Sequence, residues 1–252
     1  MENVEYMFID EVSMIIKEFY QLFTLIKRTF KDIKFIIAGD FKQLPPVCDE
    51  WEGDYENSPA MNLLCDGNRI KLTICRRSDD ALFNLCKDPT SVDKFQFQPK
   101  QKTFLNLAYT HKTRKTVNNE CTERFIAKNQ CDTISVDCDK LNPKTQDVKL
   151  AVGMPVIAHK TNKKLRFLNS QTFTIESVTN DSLCIKSDDT EITIKTVDFH
   201  KFFYLGFCLT IHASQGETFD TPYTIYDWYK LCPKSTYVAL SRGTKLTNIQ
   251  IA

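Results

Sequence analysis

The first forty residues constrain the fold most. Met7 to Ile9 is a short apolar run that ends in two adjacent acids, Asp10 and Glu11. Ile15, Ile16, Phe19, Leu22, Phe23 and Ile26 then recur at the spacing of one helical face, which predicts an amphipathic helix over roughly 14–30. "KFIIAGD" follows as a second buried strand running into Gly39 and Asp40. Strand, helix, strand in this order is a βαβ unit, which implies a parallel sheet with a right-handed crossover. In such sheets ligands sit beyond the carboxyl ends of the strands. Both acidic tips therefore point to one crevice.

Downstream, the stretch from about 49 to 100 is less regular, and "IKLTICRRSDD" is its clearest strand-then-charge pattern. "TFLNLAYTHKTRKTVNNECTERF" reads as a strand followed by a helix. Between about 146 and 199, "VKLAVGMPVIAHK", "QTFTIESV", "SLCIKS" and "EITIKTVDF" are short alternating segments separated by Asn, Asp and Ser. They predict antiparallel strands forming a small barrel or sheet. "FFYLGFCLTIHASQGE" returns to a buried strand with a polar end, and "STYVALSRGT" predicts one more strand, ending in Arg242. The fold class is α/β.

At 252 residues the chain has length for one or two domains and a sizeable core. Its 42% hydrophobic and 26% charged content is that of an ordinary globular protein. The net charge of +1 gives no global basic excess, so any nucleic-acid contact must be local. Ten cysteines lie at 48, 65, 75, 86, 121, 131, 138, 184, 208 and 232, with no C-x-x-C and no zinc spacing. Together with the lack of a signal-peptide pattern or a membrane-length apolar run, they are expected to be reduced thiols in an intracellular protein. Cytoplasm or nucleus fits, or a viral factory if the source is a large DNA virus.

Several strings carry chemistry. An acid pair at a buried strand tip suits magnesium binding and water activation, although acids also cap helices. In "GDFKQLPPV" the glycine permits a sharp turn, Gln43 offers a donor and an acceptor to a phosphate or its attacking water, and Pro45 and Pro46 stiffen the segment beyond it. "CLTIHASQGETFD" places Thr210, His212, Ser214, Gln215 and Gly216 beyond a buried strand, where hydroxyls, imidazole and amides suit phosphates. Arg242, and Arg77 of "CRRSD", are arginines for stabilising charge, though a lone strand-end arginine is usually a solvated charge.

In order, "FIDEVSM", "GDFKQLPPV", the arginine of "CRRSD", "TIHASQGETFD" and "VALSRGT" resemble motifs II to VI of superfamily 1 helicases, most closely the RecD-like and Pif-type DNA helicases. The resemblance runs from about Tyr6 to the C-terminus. "YTHKTRKTVNNE" resembles the segment opening the second motor domain, and "GMPVIAHKTNKKLRFLNSQTFTI" the approach to an inserted Src-homology-3-like barrel. Ala213 stands where lysine is common, and Ser78 where glutamine is. The resemblance implies the second half of one RecA-like domain over 1–98, then a second RecA-like domain over 99–252 with the barrel at about 160–200.

It further implies ATP and Mg2+ as cofactors. Asp10 and Glu11 would hold the metal, Glu11 activate water, Gln43 sense the terminal phosphate, Gly216 support it, and Arg77 and Arg242 stabilise charge. Thr110, His111, Thr210, His212 and Ser214 would contact single-stranded DNA at duplex junctions, with travel 5′ to 3′. No G-x-x-x-x-G-K-[ST] phosphate loop occurs among the seven glycines, so that loop is expected upstream of Met1, and the missing upstream half of the motor is an expected partner. Two other readings stay open: a catalytically dead remnant that binds nucleic acid or a protein, and an RNA helicase of the same superfamily.

Overall fold

The computed structural model describes residues 4–46, 54–188 and 190–252. Val47, which closes "GDFKQLPPV", and Cys48 lie outside the described residues. β1 (Tyr6–Ile9) and β2 (Lys34–Ile37) pair in parallel, with Ile9 opposite Ile37, and α1 (Lys17–Thr29) joins them as the pattern predicts. Tyr20 is buried on α1 and its hydroxyl donates to Val12 O at 3.0 Å. α2 (Pro59–Leu64) starts with Ser58 accepting from Met61 N and with proline in the first turn, where its missing N–H costs nothing. Ile9, Val12, Tyr20, Met61 and Leu64 form a small core between these elements. The other face of the two strands is open, with Tyr6, Phe8 and Ile36 exposed and Phe8 at 73%. Phe19 and Leu22, expected on the buried stripe of α1, are also exposed, because a two-stranded layer is too narrow to cover them.

"IKLTICRRSDD" does not form the expected strand. Ile70, Leu72 and Ile74 are 91%, 88% and 72% exposed in an irregular segment. The alternation is strand-like, but a strand is stabilised by pairing, and among the described residues no edge pairs with it. α3 (Asp80–Lys87) follows, capped by Asp79 accepting from Leu82 N.

The second half is built on a parallel sheet. β3 (Leu105–Ala108) leads into α4 (His111–Asn129), as predicted. β4 (Ile134–Val136) and β5 (Val148–Leu150) make an antiparallel pair. β6 (Pro155–Ala158), β7 (Thr172–Val178), β8 (Ser182–Lys186) and β9 (Glu191–Lys195) then run antiparallel. The short α5 (Phe199–Phe202) and β10 (Phe203–Leu205) complete a five-stranded sheet of order β10-β6-β7-β8-β9. Its alternating burial points Phe173, Ile175, Leu183, Ile185, Ile192 and Ile194 into one core. Arg114 of α4 lies 4.6 Å from the centre of the Tyr204 ring on β10, and the His159 ring stacks on the same tyrosine at 4.3 Å.

"FFYLGFCLT", expected as one strand, is two. β10 belongs to the antiparallel sheet and β11 (Cys208–Thr210) to the parallel one, with the break at Gly206. A Cβ there would lie 3.1 Å from the Pro155 carbonyl carbon, tight enough that the Pro155 backbone would have to give way. β12 (Tyr223–Ile225), α6 (Pro233–Leu240) and β13 (Ile249–Ile251) finish the chain. The parallel sheet has the order β11-β3-β12-β13. The expected "STYVALSRGT" strand is thus the helix α6. Pro233 in its first turn favours helix initiation, and Val238, Ala239 and Leu240 are all buried because α6 packs against a core holding Leu82, Tyr223 and Ile251. Of the ten cysteines, nine are free thiols within the described residues.

Gly39 sets how the two acidic strand tips meet. A Cβ on it would lie 2.8 Å from both Val12 N and Val12 Cγ1. Val12 N donates to Ala38 O at 3.0 Å, and Ala38 N to Ile9 O at 2.8 Å, closing the two loops on each other. Gly39→Ala should therefore push the Glu11–Val12 backbone away and destabilise the protein by about 1–3 kcal/mol, the usual cost of overpacking, as read by urea unfolding.

Candidate active site

The cleft is assembled from five segments. Asp10, at the tip of β1, is exposed, and its Oδ1 accepts from Glu11 N at 2.8 Å. Glu11 has left-handed backbone angles, φ 49 and ψ 45. That conformation costs a non-glycine residue about 1–3 kcal/mol, and such strain clusters at functional sites. The Glu11 side chain turns inward, and its Oε2 is buried without a hydrogen-bond partner among the described residues. Gln43 sits in the turn after β2, where its amide N–H donates to Asp40 O at 2.9 Å, and its Oε1 is likewise buried and unpartnered.

Arg242 follows the C-terminal end of α6 and is 1% exposed. Its Nε donates to Val238 O at 3.1 Å, Nη1 to Glu217 O at 3.2 Å and Nη2 to Ser241 Oγ at 2.9 Å. Among the described residues it forms no ion pair. Burial lowers its pKa, the positive charge of Arg77 adds to that, and the negative charge of Glu11 opposes it. Arg77 is exposed and reaches the same corner, Nη1 donating to Ser241 O at 3.3 Å. The turn after β11 is tied to Arg242 through Glu217 and through Phe219 N, which donates to Arg242 O at 2.7 Å. Gly216, in that turn, has φ 89, a left-handed angle that favours glycine. Both side-chain amide atoms of Gln215 beside it are buried and unpartnered. Glu11, Arg77, Arg242 and the Gly216 turn are thus drawn together, with Gln43 held close by Asp40.

The candidate DNA residues cluster at the carboxyl ends of β3 and β11. Thr210 ends β11, and its hydroxyl accepts from Ala213 N at 3.2 Å. His212 is partly buried, which lowers its pKa. His111 opens α4, and its pKa falls to about 4 through partial burial of the ring and the positive charges of Arg114, Lys144 and Lys115. It is neutral at pH 7 amid positive charge. Thr110 and Ser214 are otherwise engaged. Thr110 caps α4 by accepting from Thr113 N at 3.2 Å and donates its hydroxyl to Asp227 at 3.0 Å. Ser214 is fully buried and donates to Ile211 O at 2.9 Å.

Sequence reasoning missed Asp227 and Tyr237, and placed Asp40 only as an acidic strand tip. Asp227 follows β12 and accepts from Thr110 N, from the Thr110 and Thr113 hydroxyls and from Lys230 Nζ. Thr110 and Thr113 lie more than a hundred residues from it and it is in no motif, so nothing in the string marks it. Asp40 and Tyr237 lie inside quoted strings, and what makes them notable is the 2.6 Å bond from the Tyr237 hydroxyl to Asp40 Oδ2.

A parallel strand pair and a second parallel sheet, both inside a mixed α/β fold, give the chain a RecA-like architecture. Pif1 helicases are among the solved structures that this chain resembles. It superposes with a TM-score of 0.73 on a Pif1 helicase from a study of two such enzymes unwinding forked duplex DNA, at 19% identity, covering 98% of this chain and 68% of that one. It also superposes on Bacteroides Pif1 in complex with ADP-AlF3 and single-stranded DNA, with a TM-score of 0.71, 17% identity and coverage of 99% and 70%. For Pif1 from Candida albicans the values are 0.68, 20%, 98% and 72%. No family model matches the sequence, and no curated protein does either.

Asp227 yields a pH prediction. Burial alone would raise its pKa, but the hydrogen bonds from Lys230, Thr110 and Thr113 prevail and lower it below 3.8. A carboxylate with a depressed folded pKa adds stability above its unfolded pKa and loses it as pH falls through the folded one. Asp227→Asn should therefore lower Tm at pH 7, and the gap from wild type should close as pH falls below about 4, as calorimetry across pH would show.

Proposed function

We propose that this chain carries part of an ATP-driven DNA motor of the Pif1 type, which translocates 5′ to 3′ on single-stranded DNA and opens duplex at junctions. The observation that carries the reading is Arg242. A guanidinium buried to 1% with no ion pair among the described residues has donors to spare and a desolvated charge to satisfy. It is tied to the glycine turn through Glu217 and feels the negative charge of Glu11, and side-chain atoms of Glu11, Gln43 and Gln215 are buried and unpartnered among the described residues. A terminal phosphate with its attacking water is the chemistry that would use all of them.

The residues present fit the terminal-phosphate end of ATP. Asp10 and Glu11 would hold Mg2+, which when bound would neutralise charge on the phosphates. Glu11 would accept the proton of the attacking water, its inward carboxylate oxygen being free to do so. Gln43 would orient that water and report whether the terminal phosphate is there. Gly216 would offer its backbone amide, and Arg77 and Arg242 would stabilise the charge that develops as the phosphoryl group transfers. Domain 1–98 would supply the acids and the glutamine, and domain 99–252 Arg242 and the Gly216 turn. His111, Thr210 and His212 would meet DNA phosphates, with Thr110 and Ser214 shaping the backbone behind them.

The cradle for the remaining phosphates is not in this sequence, so in this reading another polypeptide segment supplies it. The open face of β1 and β2 and the unpaired Ile70–Ile74 row support a docking place for it, since parallel strands are normally covered on both faces. The absent loop also favours a second reading, a remnant that binds nucleic acid without hydrolysing ATP.

The test is direct. The purified chain alone should show no ATP turnover with single-stranded DNA. By fluorescence anisotropy it should bind a labelled single-stranded oligonucleotide at ~10⁻⁴–10⁻⁶ M, weakening as salt rises. Steady turnover would overturn the first expectation, and no binding at low salt the second. Tighter binding to RNA than to DNA would replace the substrate. In a protein completed with a phosphate loop, Glu11→Gln should keep nucleotide binding and lose most turnover.

A further inference from the structure

Asp40 and Tyr237 take no part in the phosphate chemistry, yet they join the two halves of the cleft. Asp40 divides its carboxylate. Oδ1 accepts from Lys42 N at 2.9 Å and closes its own loop, while Oδ2 accepts from the Tyr237 hydroxyl at 2.6 Å. The two residues are 197 positions apart. On one side, Gln43 N donates to Asp40 O at 2.9 Å, so Gln43 hangs directly on the residue that Tyr237 holds. On the other, Ser241 N donates to Tyr237 O at 2.9 Å in the last turn before Arg242. Leu44, next to Gln43, is 3% exposed in the core that contains Leu82, Val238 and Leu240. Gln43 is therefore flanked by a polar anchor and an apolar one, both against α6 and its neighbours.

We propose that the Tyr237–Asp40 hydrogen bond is a positioning clamp, which fixes Gln43 relative to Arg242 so that both can address one phosphate. This deepens the motor reading and rests on it. Phosphoryl transfer depends on placing groups closely rather than on covalent work by the protein, so two readers on distant segments need a tie that sets their separation. The geometry suits a tie. A phenol donating to a carboxylate is short and charge-assisted. Burial and the neighbouring Asp40 and Cys86 raise the pKa of Tyr237, and Arg242 opposes this. The hydroxyl thus keeps its proton, and its role as donor, across the neutral range.

The test uses this chain without nucleotide. Tyr237→Phe removes one oxygen and leaves the ring. Amide hydrogen exchange at Lys42, Gln43 and Ser241 should rise roughly 10-fold, the scale of losing one bond to a charged group, while β7 to β9 stay unchanged. Asp40→Asn removes the charge, and the titration of Tyr237 in a ¹³Cζ-tyrosine spectrum should move down toward that of a free tyrosine. The double variant should add little to Tyr237→Phe at Ser241, since both changes break the same bond.

Three results would overturn the clamp: unchanged exchange at Gln43 in Tyr237→Phe, a rise spread over the whole parallel sheet, or release of the loop by Leu44→Ala alone. The motor reading fails separately, on the absence of salt-sensitive binding to single-stranded DNA.

Discussion

The buried guanidinium of Arg242 is the constraint on which the cleft depends. Placing a cation among Val238, Leu240 and Tyr223 without a carboxylate partner among the described residues would be costly without hydrogen bonds to offset its burial. The chain meets this with two carbonyls and a hydroxyl, taken from α6 and from the turn after β11. Those contacts explain why Phe219 N returns to Arg242 O, and why the Gly216 turn lies where it does. Remove the guanidinium and the turn loses its anchor. Much of the second half is arranged to hold one charge still.

The first half contributes strain rather than bulk. Its core is small, yet it keeps Glu11 in a left-handed conformation and closes Gly39 onto Val12 with no room for a methyl group. A thin layer can hold such a shape because the backbone bonds between Ala38, Ile9 and Val12 fix both loops together. The result is an acid whose inner oxygen is buried and unpaired among the described residues, and whose charge acts on the guanidinium of Arg242.

The sequence revealed the βαβ unit, the β3–α4 pair and the antiparallel segments because each carries its own period of apolar residues. Besides joining β10 and β11 into one strand, it misjudged two segments for opposite reasons. Ile70–Ile74 alternates like a strand but lacks a neighbour, and pairing is not written in a single segment. Tyr237–Leu240 is an apolar run that periodicity cannot assign, and Pro233 decided it toward helix. Site residues in compact strings, such as Glu11, Gln43, Arg77 and Arg242, were legible as residue types at turns. Asp227 was not, because its importance comes from four donors that converge only in three dimensions. Ser214 was legible as a hydroxyl near a phosphate-like turn, but the string could not show that it points inward.

The junction at Gly206 has a consequence for modularity. β10 ends at Leu205 and β11 begins at Cys208, so the antiparallel module and the parallel sheet share a strand path with only two residues between them. Phe207 is buried in that gap, and the glycine lies against Pro155. A graft of this module onto another scaffold has no linker to absorb a misfit. The cassette is bounded by Pro155 on one side and Phe207 on the other, and both ends must travel with it.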